Sequence, residues 1–330
     1  MSADTKTVLL TGASGFVARH IIKQLLAQDY HIIGTVRSPS KANELLDYFN
    51  HPKSLKLSIV PDIATLGAFD NILIENPYID YVIHAASPVS YNDDDFVRSY
   101  YEPAIYGTKN ILKGVRSYGR QVQKIVFTSS IVVMDYEDDT INDKGATTLD
   151  ETSWNDITWD SALALEIQPE NVPKAYRASK TFAEQAVWDF IRIEKPTFAV
   201  TTIIAPLVFG PMELLGNLTK HDINTSNKIL YSIYINHLKN QNPDLLHDGT
   251  VIKGDHICYV DVRDLAWAHI AALTNNQSNN MRWFITRGDR LYFQKVVDIL
   301  HEKFAEICKD NLCRGKPGSY ASLYSLQNPF

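Results

Sequence analysis

Cysteine is scarce in this sequence: three residues in 330, Cys258, Cys308 and Cys313, with no Cys-x-x-Cys spacing among them. An odd count without that spacing leaves a zinc site without a ligand set and reads as reduced thiols, so the expected location is the cytoplasm and the expected metal is none. Long apolar runs are missing as well; nothing approaches the ~18 uninterrupted apolar residues of a membrane span. The polar start Met1–Lys6 leads at once into a strand-like run, so no signal peptide is expected. Nor is there an excess of positive charge: 32 Lys and Arg face 38 Asp and Glu, leaving −6. That balance argues against a broad surface for nucleic acid or anionic lipid.

What is present is an ordinary globular composition, 45% hydrophobic and 21% charged, in a chain long enough to bury a core without staples. Short apolar runs recur at Thr7–Thr11, His31–Val36, Leu55–Val60, Tyr81–Ala85, Lys124–Thr128 and Val200–Ala205. Their apolarity is continuous rather than alternating, as in strands buried on both faces. Helical patterns lie between them, at Gly15–Gln28, Pro39–Tyr48, Ala104–Tyr118 and Lys174–Glu194. Six strands with right-handed crossovers predict an α/β fold, a doubly wound Rossmann sheet. After Pro206 the rhythm changes. A helix is expected near Ser226–Leu238, another over Asp261–Leu273, a short strand at Trp283–Thr286 and one amphipathic helix over Phe293–Ile307. We therefore expect residues 1–205, with about 256–275, to form a dinucleotide-binding domain, and 206–255 with 276–330 a smaller C-terminal substrate domain.

The first run ends in Thr11-Gly12-Ala13-Ser14-Gly15-Phe16-Val17-Ala18, and a helix follows at once. Glycines there let the backbone turn tightly and approach a pyrophosphate, whose charge rests on the helix N-terminus. A glycine pair alone is a weak signal; between the first strand and first helix of such a sheet it is a strong one. The second run ends Val36-Arg37, with Lys41 one helical turn on and no carboxylate to accept from a ribose 2′-OH. Two exposed cations at a helix start would look the same. Their position and the missing acid favour a 2′-phosphate, and hence NADP(H). Asp62, at the end of the third run, is placed equally well to accept from an adenine amino group or to cap a helix.

Tyr176-Arg177-Ala178-Ser179-Lys180 puts a phenol and an ammonium four apart on one helix face. With 17 tyrosines in the chain, such a spacing also arises by chance. This one follows the fifth strand, which ends in Ser129-Ser130 at the carboxyl edge where ligands of such sheets bind.

In these motifs, together with His84-Ala85-Ala86-Ser87-Pro88, Pro103–Asn110, Val208-Phe209-Gly210-Pro211 and Val260–Asp264, the chain resembles the extended short-chain dehydrogenase/reductases. Within them it is similar to the dihydroflavonol-reductase-like branch, and in particular to yeast NADPH-dependent reductases of the methylglyoxal and 3-methylbutanal type. The resemblance runs from about Val8 to Lys303 and is more specific for family than for substrate. It implies Ser130 as the catalytic hydroxyl, Tyr176 as proton donor and Lys180 as its partner. It also implies Gly12, Ser14, Gly15, Phe16 and Val17 around the pyrophosphate, and Arg37 and Lys41 at the 2′-phosphate. Asp62 and Ile63 would meet the adenine, Ala85 and Ser87 would line the cofactor, and Pro206, Leu207 and Val208 would lie along the nicotinamide. The implied activity is NADPH-dependent reduction of an aldehyde or ketone, by a monomer or homodimer, with no nucleic-acid or membrane partner.

Reduction of a carbonyl requires hydride on carbon and a proton on the developing alkoxide. A nearby ammonium is expected to draw the Tyr176 phenol down toward neutral pH. Val89, Ile131, Met134 and Leu214 are candidate pocket walls, all apolar; such residues are more often core than pocket, and if half of them line the site the substrate has an alkyl or aryl flank rather than a sugar. Asn110 is an even choice between anchoring a relay water and packing its helix. Two rival readings remain on the same scaffold: a sugar-nucleotide epimerase or dehydratase retaining NAD, and a non-catalytic NADP(H) sensor. Arg37 counts against the first, and the complete Ser130, Tyr176 and Lys180 set against the second.

Overall fold

The structure is a computed structural model. It describes residues 5–87, 95–134, 149–214, 223–240, 258–287, 291, 293–308, 312, 314, 317 and 318, with the backbone alone at 233–240 and 293. Six strands form where the apolar runs predict them: β1 (Thr7–Thr11), β2 (His31–Val36), β3 (Leu55–Ile59), β4 (Tyr81–His84), β5 (Lys124–Ser130) and β6 (Ala199–Ala205). Between and after them run α1 (Phe16–Leu26), α2 (Pro39–Tyr48), α3 (Asp70–Glu75), α4 (Glu102–Tyr118), α5 (Trp159–Leu163) and α6 (Val172–Glu194). Past β6 come a parallel pair, β7 (Leu207–Phe209) and β8 (Tyr259–Asp261), and the helices α7 (Thr225–Asn240) and α8 (Val262–Thr274). The last elements are β9 (Met281–Phe284), α9 (Phe293–Lys303) and α10 (Ala305–Cys308).

All strands of the main sheet are parallel, in the order β3-β2-β1-β4-β5-β6-β9. The sheet thus has seven strands and not six. Met281–Phe284 is its far edge, pairing Thr201 with Met281 and Ile204 with Phe284, although the sequence reading placed a short strand at Trp283–Thr286, outside the sheet. Hydropathy hides this strand for a physical reason. Met281 is half exposed while Arg282 is buried in an ion pair with Glu184, which inverts the expected pattern. The helix expected over Phe293–Ile307 is likewise two, α9 and α10.

Strand alternation feeds two cores. Val8 and Leu10 of β1 pack with Ile21 and Leu25 of α1, Leu45 of α2 and Leu265 and Ile270 of α8 on one face. Leu9 packs with Leu73 of α3, Ile111 and Val115 of α4 and Val187 of α6 on the other. Helices on both faces are the doubly wound arrangement, and each fully buried aliphatic side chain contributes about 1.5–3 kcal/mol. A third cluster joins Phe209, Leu291, Val297 and Cys308 after the main sheet. Among the described residues, no helix is long and apolar enough to cross a membrane.

Candidate active site

The chain order doubles back between β1 and β4, and a crevice opens there at the carboxyl ends of the strands. It holds about 260 Å³ and is lined by Gly12, Ser14, Gly15, Thr35, Val36, Arg37, Val60, Pro61, Asp62, Ile63, Ala85, Ala86 and Ser87. Eight residues assigned to the cofactor from the sequence converge on it: Gly12, Ser14, Gly15, Arg37, Asp62, Ile63, Ala85 and Ser87. A larger cleft of about 570 Å³ lies at the opposite edge, around Lys6, Lys53 and Asp80, away from the end at which parallel sheets bind ligands.

Glycine is required at residue 12. Its φ is +69°, and a Cβ would stand 2.8 Å from the Ala86 Cα. Gly107 matters differently: a side chain there would strike Ile63 at 2.6 Å, so its absence lets Ile63 seat against α4. Helix α1 begins at Gly15 without a side-chain cap, which leaves its first-turn amides for an anion. Phe16 and Val17 do not line the crevice; as the first turn of α1 they pack on the core. Asp62 caps no helix. Its carboxylate accepts from the Ala64 amide at 2.8 Å and the Thr65 hydroxyl at 3.4 Å, building the turn that carries Ile63.

Arg37 is exposed at the mouth. Lys41 is not among the crevice residues; its ammonium pairs with Glu44 at 2.7 Å. Glu44 in turn binds the buried Arg19 at 2.6 Å. Burial opposes the charge on Glu44, but hydrogen bonds from Lys41 and Arg19 outweigh it and hold the carboxyl below its usual range.

Tyr176 and Lys180 stand on successive turns of α6, beside the end of β5. The Ser130 side chain lies beside the Tyr176 hydroxyl, where it favours the charged phenolate. Lys180 is 4% exposed, donates to the Thr128 carbonyl at 3.1 Å, and lies 5.7 Å from the centre of the Phe127 ring. Burial pulls the Lys180 ammonium down to about 8, against the opposing pull of Glu184. The phenol departs from expectation. Burial raises it above its ordinary value, and the neighbouring Ser130 side chain offsets this only in part. Desolvation outweighs the effect of Ser130, so Tyr176 is held protonated.

Asn110 packs its helix rather than presenting a free amide. Its Nδ2 donates to the Ile63 carbonyl at 2.9 Å and the Thr65 carbonyl at 2.8 Å, tying α4 to the crevice wall. Among the pocket candidates, Met134 is fully buried with Val133 and Ile204 and has no surface to offer a substrate. Ile131 is half-buried against the same cluster, beside Trp154 and Phe284. Leu214 is half-buried next to Glu213, whose carboxylate takes a hydrogen bond from Tyr48 and pairs with Lys23 at 2.7 Å. Val89 lies outside the described residues. Pro206 and Val208 are buried and Leu207 half-buried, in and just before β7.

Two histidines were missed. His84 bonds Thr11 at 2.8 Å and stacks on Phe127, and burial pushes it down to about 3. His269 of α8 bonds Thr128 at 2.8 Å and the Leu265 carbonyl at 2.8 Å, and burial holds it at about 4. Both are neutral struts. Of the two, only His84 lies in a stretch that the motifs had marked.

Comparison with known proteins agrees with this geometry. The profile of the NAD dependent epimerase/dehydratase family matches residues 8–283. The chain is 35% identical over 324 residues to the NADPH-dependent methylglyoxal reductase of Saccharomyces cerevisiae, spanning 97% of this chain and 89% of that one. It is 35% identical over 290 residues to a ketoreductase of Aspergillus niger, spanning 87% and 80%. Among solved structures, Gre2 of Candida albicans in complex with NADPH matches with a TM-score of 0.80 at 39% identity, over 95% of this chain and 87% of that one. By the family match over residues 8–283 and by these relatives, the chain belongs to the NAD-dependent epimerase/dehydratase family, the extended short-chain dehydrogenase/reductases.

Proposed function

We propose that this chain is an NADPH-dependent carbonyl reductase that turns an aldehyde or ketone into an alcohol. The observation that carries the reading is the convergence at the end of β5 of Ser130, a protonated Tyr176 and, one turn away, a buried Lys180. The crevice fits the dinucleotide on its own evidence: Gly12 leaves room that a Cβ would fill, α1 opens uncapped, and Arg37 stands at the mouth. When bound, NADPH supplies the hydride.

The protein's part is to hold the oxygen and deliver the proton. Ser130 Oγ hydrogen-bonds the substrate carbonyl oxygen and steadies the charge that grows on it. Tyr176 gives its phenolic proton to that oxygen. The Lys180 ammonium then faces the phenolate left behind, a charge that would otherwise be costly in this buried setting. The phenol is therefore kept neutral by burial beforehand, and the cation matters once the proton has moved.

Half-buried apolar side chains, Ile131, Leu207 and Leu214, support a substrate with an alkyl or aryl flank. Small 2-oxoaldehydes, diketones and ketoesters are the class to try first. In the same reading residues 1–205 with 256–275 hold the cofactor and the remainder shapes the substrate side. In this reading the enzyme works in the cytoplasm as a monomer or homodimer; three cysteines without a Cys-x-x-Cys spacing suit a reducing compartment. The test is loss of NADPH absorbance across that panel, with NADH in parallel. Turnover with NADPH is expected. Tightly held NAD in the purified protein, with no net oxidation of NADPH by any carbonyl, would overturn the reading in favour of an epimerase.

A further inference from the structure

Glu184 is 0% exposed and lies one turn beyond Lys180 on the face of α6 that carries Tyr176. Its carboxylate gathers donors from four elements. Ser129 of β5 donates to it, as do Thr202 of β6 at 2.9 Å, Arg282 of β9 at 2.8 Å and Trp188 of α6 at 3.2 Å. Arg282 is itself 8% exposed, lies 4.0 Å from the centre of the Trp154 ring, and donates to the Glu151 and Ser153 carbonyls.

Such a pair is a poor device for stability, because the desolvation of two buried charges offsets their attraction and apolar replacements often do as well. Here the offset is larger still, since Nη2 of Arg282 is buried without a partner. What the pair does provide is a fixed anchor between β5, β6, β9 and the catalytic face of α6. Ser129, which the carboxylate grips, immediately precedes Ser130.

We propose that Glu184 is a positioning residue of the reaction: clamped by Arg282 and Thr202, it fixes the end of β5 through Ser129, so placing Ser130, and stands as the buried counter-charge of Lys180. This rests on the assignment of Ser130, Tyr176 and Lys180 above. Among the described residues, the titratable and charged groups around Glu184 and Lys180 are His84 of β4, His269 of α8 behind Thr128, Arg282 of β9 with Glu151 beyond it, and Tyr176 on α6 itself. Both histidines are neutral, so Glu184 is the charge that bears on Lys180.

The test compares Glu184→Gln, Glu184→Asp and Ser129→Ala by kcat, NADPH affinity and the pH profile of kcat/KM, which reports the free enzyme. Without the carboxylate Lys180 gives up its proton more readily, so the basic limb should move to lower pH by about half a unit or more in Glu184→Gln, with kcat reduced at least about tenfold and NADPH affinity little changed. Glu184→Asp keeps the charge and should restore the limb while kcat stays low. Ser129→Ala should lower kcat without moving the limb. If stranded Arg282 prevents Glu184→Gln from folding, the neutral pair Glu184→Gln/Arg282→Met replaces it, with a smaller shift in the same direction expected, because loss of the Arg282 cation offsets part of the loss of the carboxylate. An unmoved limb with near-wild-type kcat overturns the proposal. Tyr176→Phe, run alongside, separates the two readings: if it remains active, the catalytic assignment fails; if it is inactive while the Glu184 variants behave as wild type, only the positioning role fails.

Discussion

Tyr176 is kept protonated by its burial, which is the state a proton donor needs before the carbonyl arrives. Tyr176→Phe should leave NADPH binding nearly intact and lower kcat by roughly 10²–10⁴, the usual worth of a positioned general acid. Single-turnover measurements with saturating NADPH would check this, and a variant keeping more than about a tenth of the rate would show that another group supplies the proton. At the crevice mouth, Arg37 and Lys41 differ in a way that their spacing does not reveal. Arg37 lines the crevice, whereas Lys41 is held by Glu44. Preference for NADPH over NADH should therefore depend chiefly on Arg37 and fall with added salt, since an exposed phosphate contact is screened. Arg37→Asp should reverse it, because the new carboxylate repels the phosphate and accepts from the ribose 2′-OH. Glu44→Gln should do the opposite, freeing Lys41 and raising the preference by about threefold, a small step for one exposed cation. The ratio of kcat/KM for the two cofactors reads both, and an unchanged ratio in Glu44→Gln would remove Lys41 from the phosphate site.

Elements are tied together by buried cations placed at their ends. Lys124, at the start of β5, is 3% exposed and donates to the Ala272 carbonyl at 3.0 Å, the Asn275 carbonyl at 2.7 Å and the Ser278 hydroxyl at 3.0 Å. It therefore closes the carboxyl end of α8, where a positive charge also suits the helix dipole. Lys124→Met keeps the apolar stem but leaves buried carbonyls unpaired. It should cost about 2–4 kcal/mol and lower Tm by several degrees. Thermal unfolding followed by circular dichroism would measure it; a variant as stable as the parent would mean that water replaces the ammonium at no cost. Because α8 carries His269, and through it Thr128, the same variant should also reduce kcat modestly.

Over the whole molecule, acid stability depends on the two buried neutral histidines. Burial holds His84 at about 3 and His269 at about 4 in the folded state, against an ordinary value of 6.5. A depressed value means that the unfolded chain binds protons that the folded one refuses. Stability is therefore complete above pH 6.5 and is lost as pH falls from there toward 4. Each histidine withdraws up to about 1.4 kcal/mol per pH unit across that window, so together they remove several kcal/mol. Urea midpoints at pH 7 and pH 5 should differ accordingly. His269→Gln, which can still accept from Thr128 and donate to Leu265, should roughly halve the slope. A slope unchanged by that variant would place the acid sensitivity elsewhere.

Where a property depends on neighbours along the chain, the sequence was enough. The six apolar runs, the glycine turn into α1, Ser38 and Pro39 opening α2, and Tyr176 with Lys180 on one face of α6 all follow from local periodicity and backbone freedom. Together with the motifs they also announced the family. Whatever depends on contacts between distant residues was decided by tertiary structure alone. Met281–Phe284 joins the sheet because Arg282 finds Glu184, 98 residues away, and no hydropathy window registers an ion pair. Lys41 was expected beside a phosphate and is paired with Glu44, since local spacing cannot choose between two partners of the same charge. Met134, open to both pocket and core from its sequence position, is core, because apolar character suits both settings. The state of Tyr176 departs from expectation for the same reason: an ammonium four residues away is visible in the sequence, but the desolvation that raises the phenol comes from the elements packed around it.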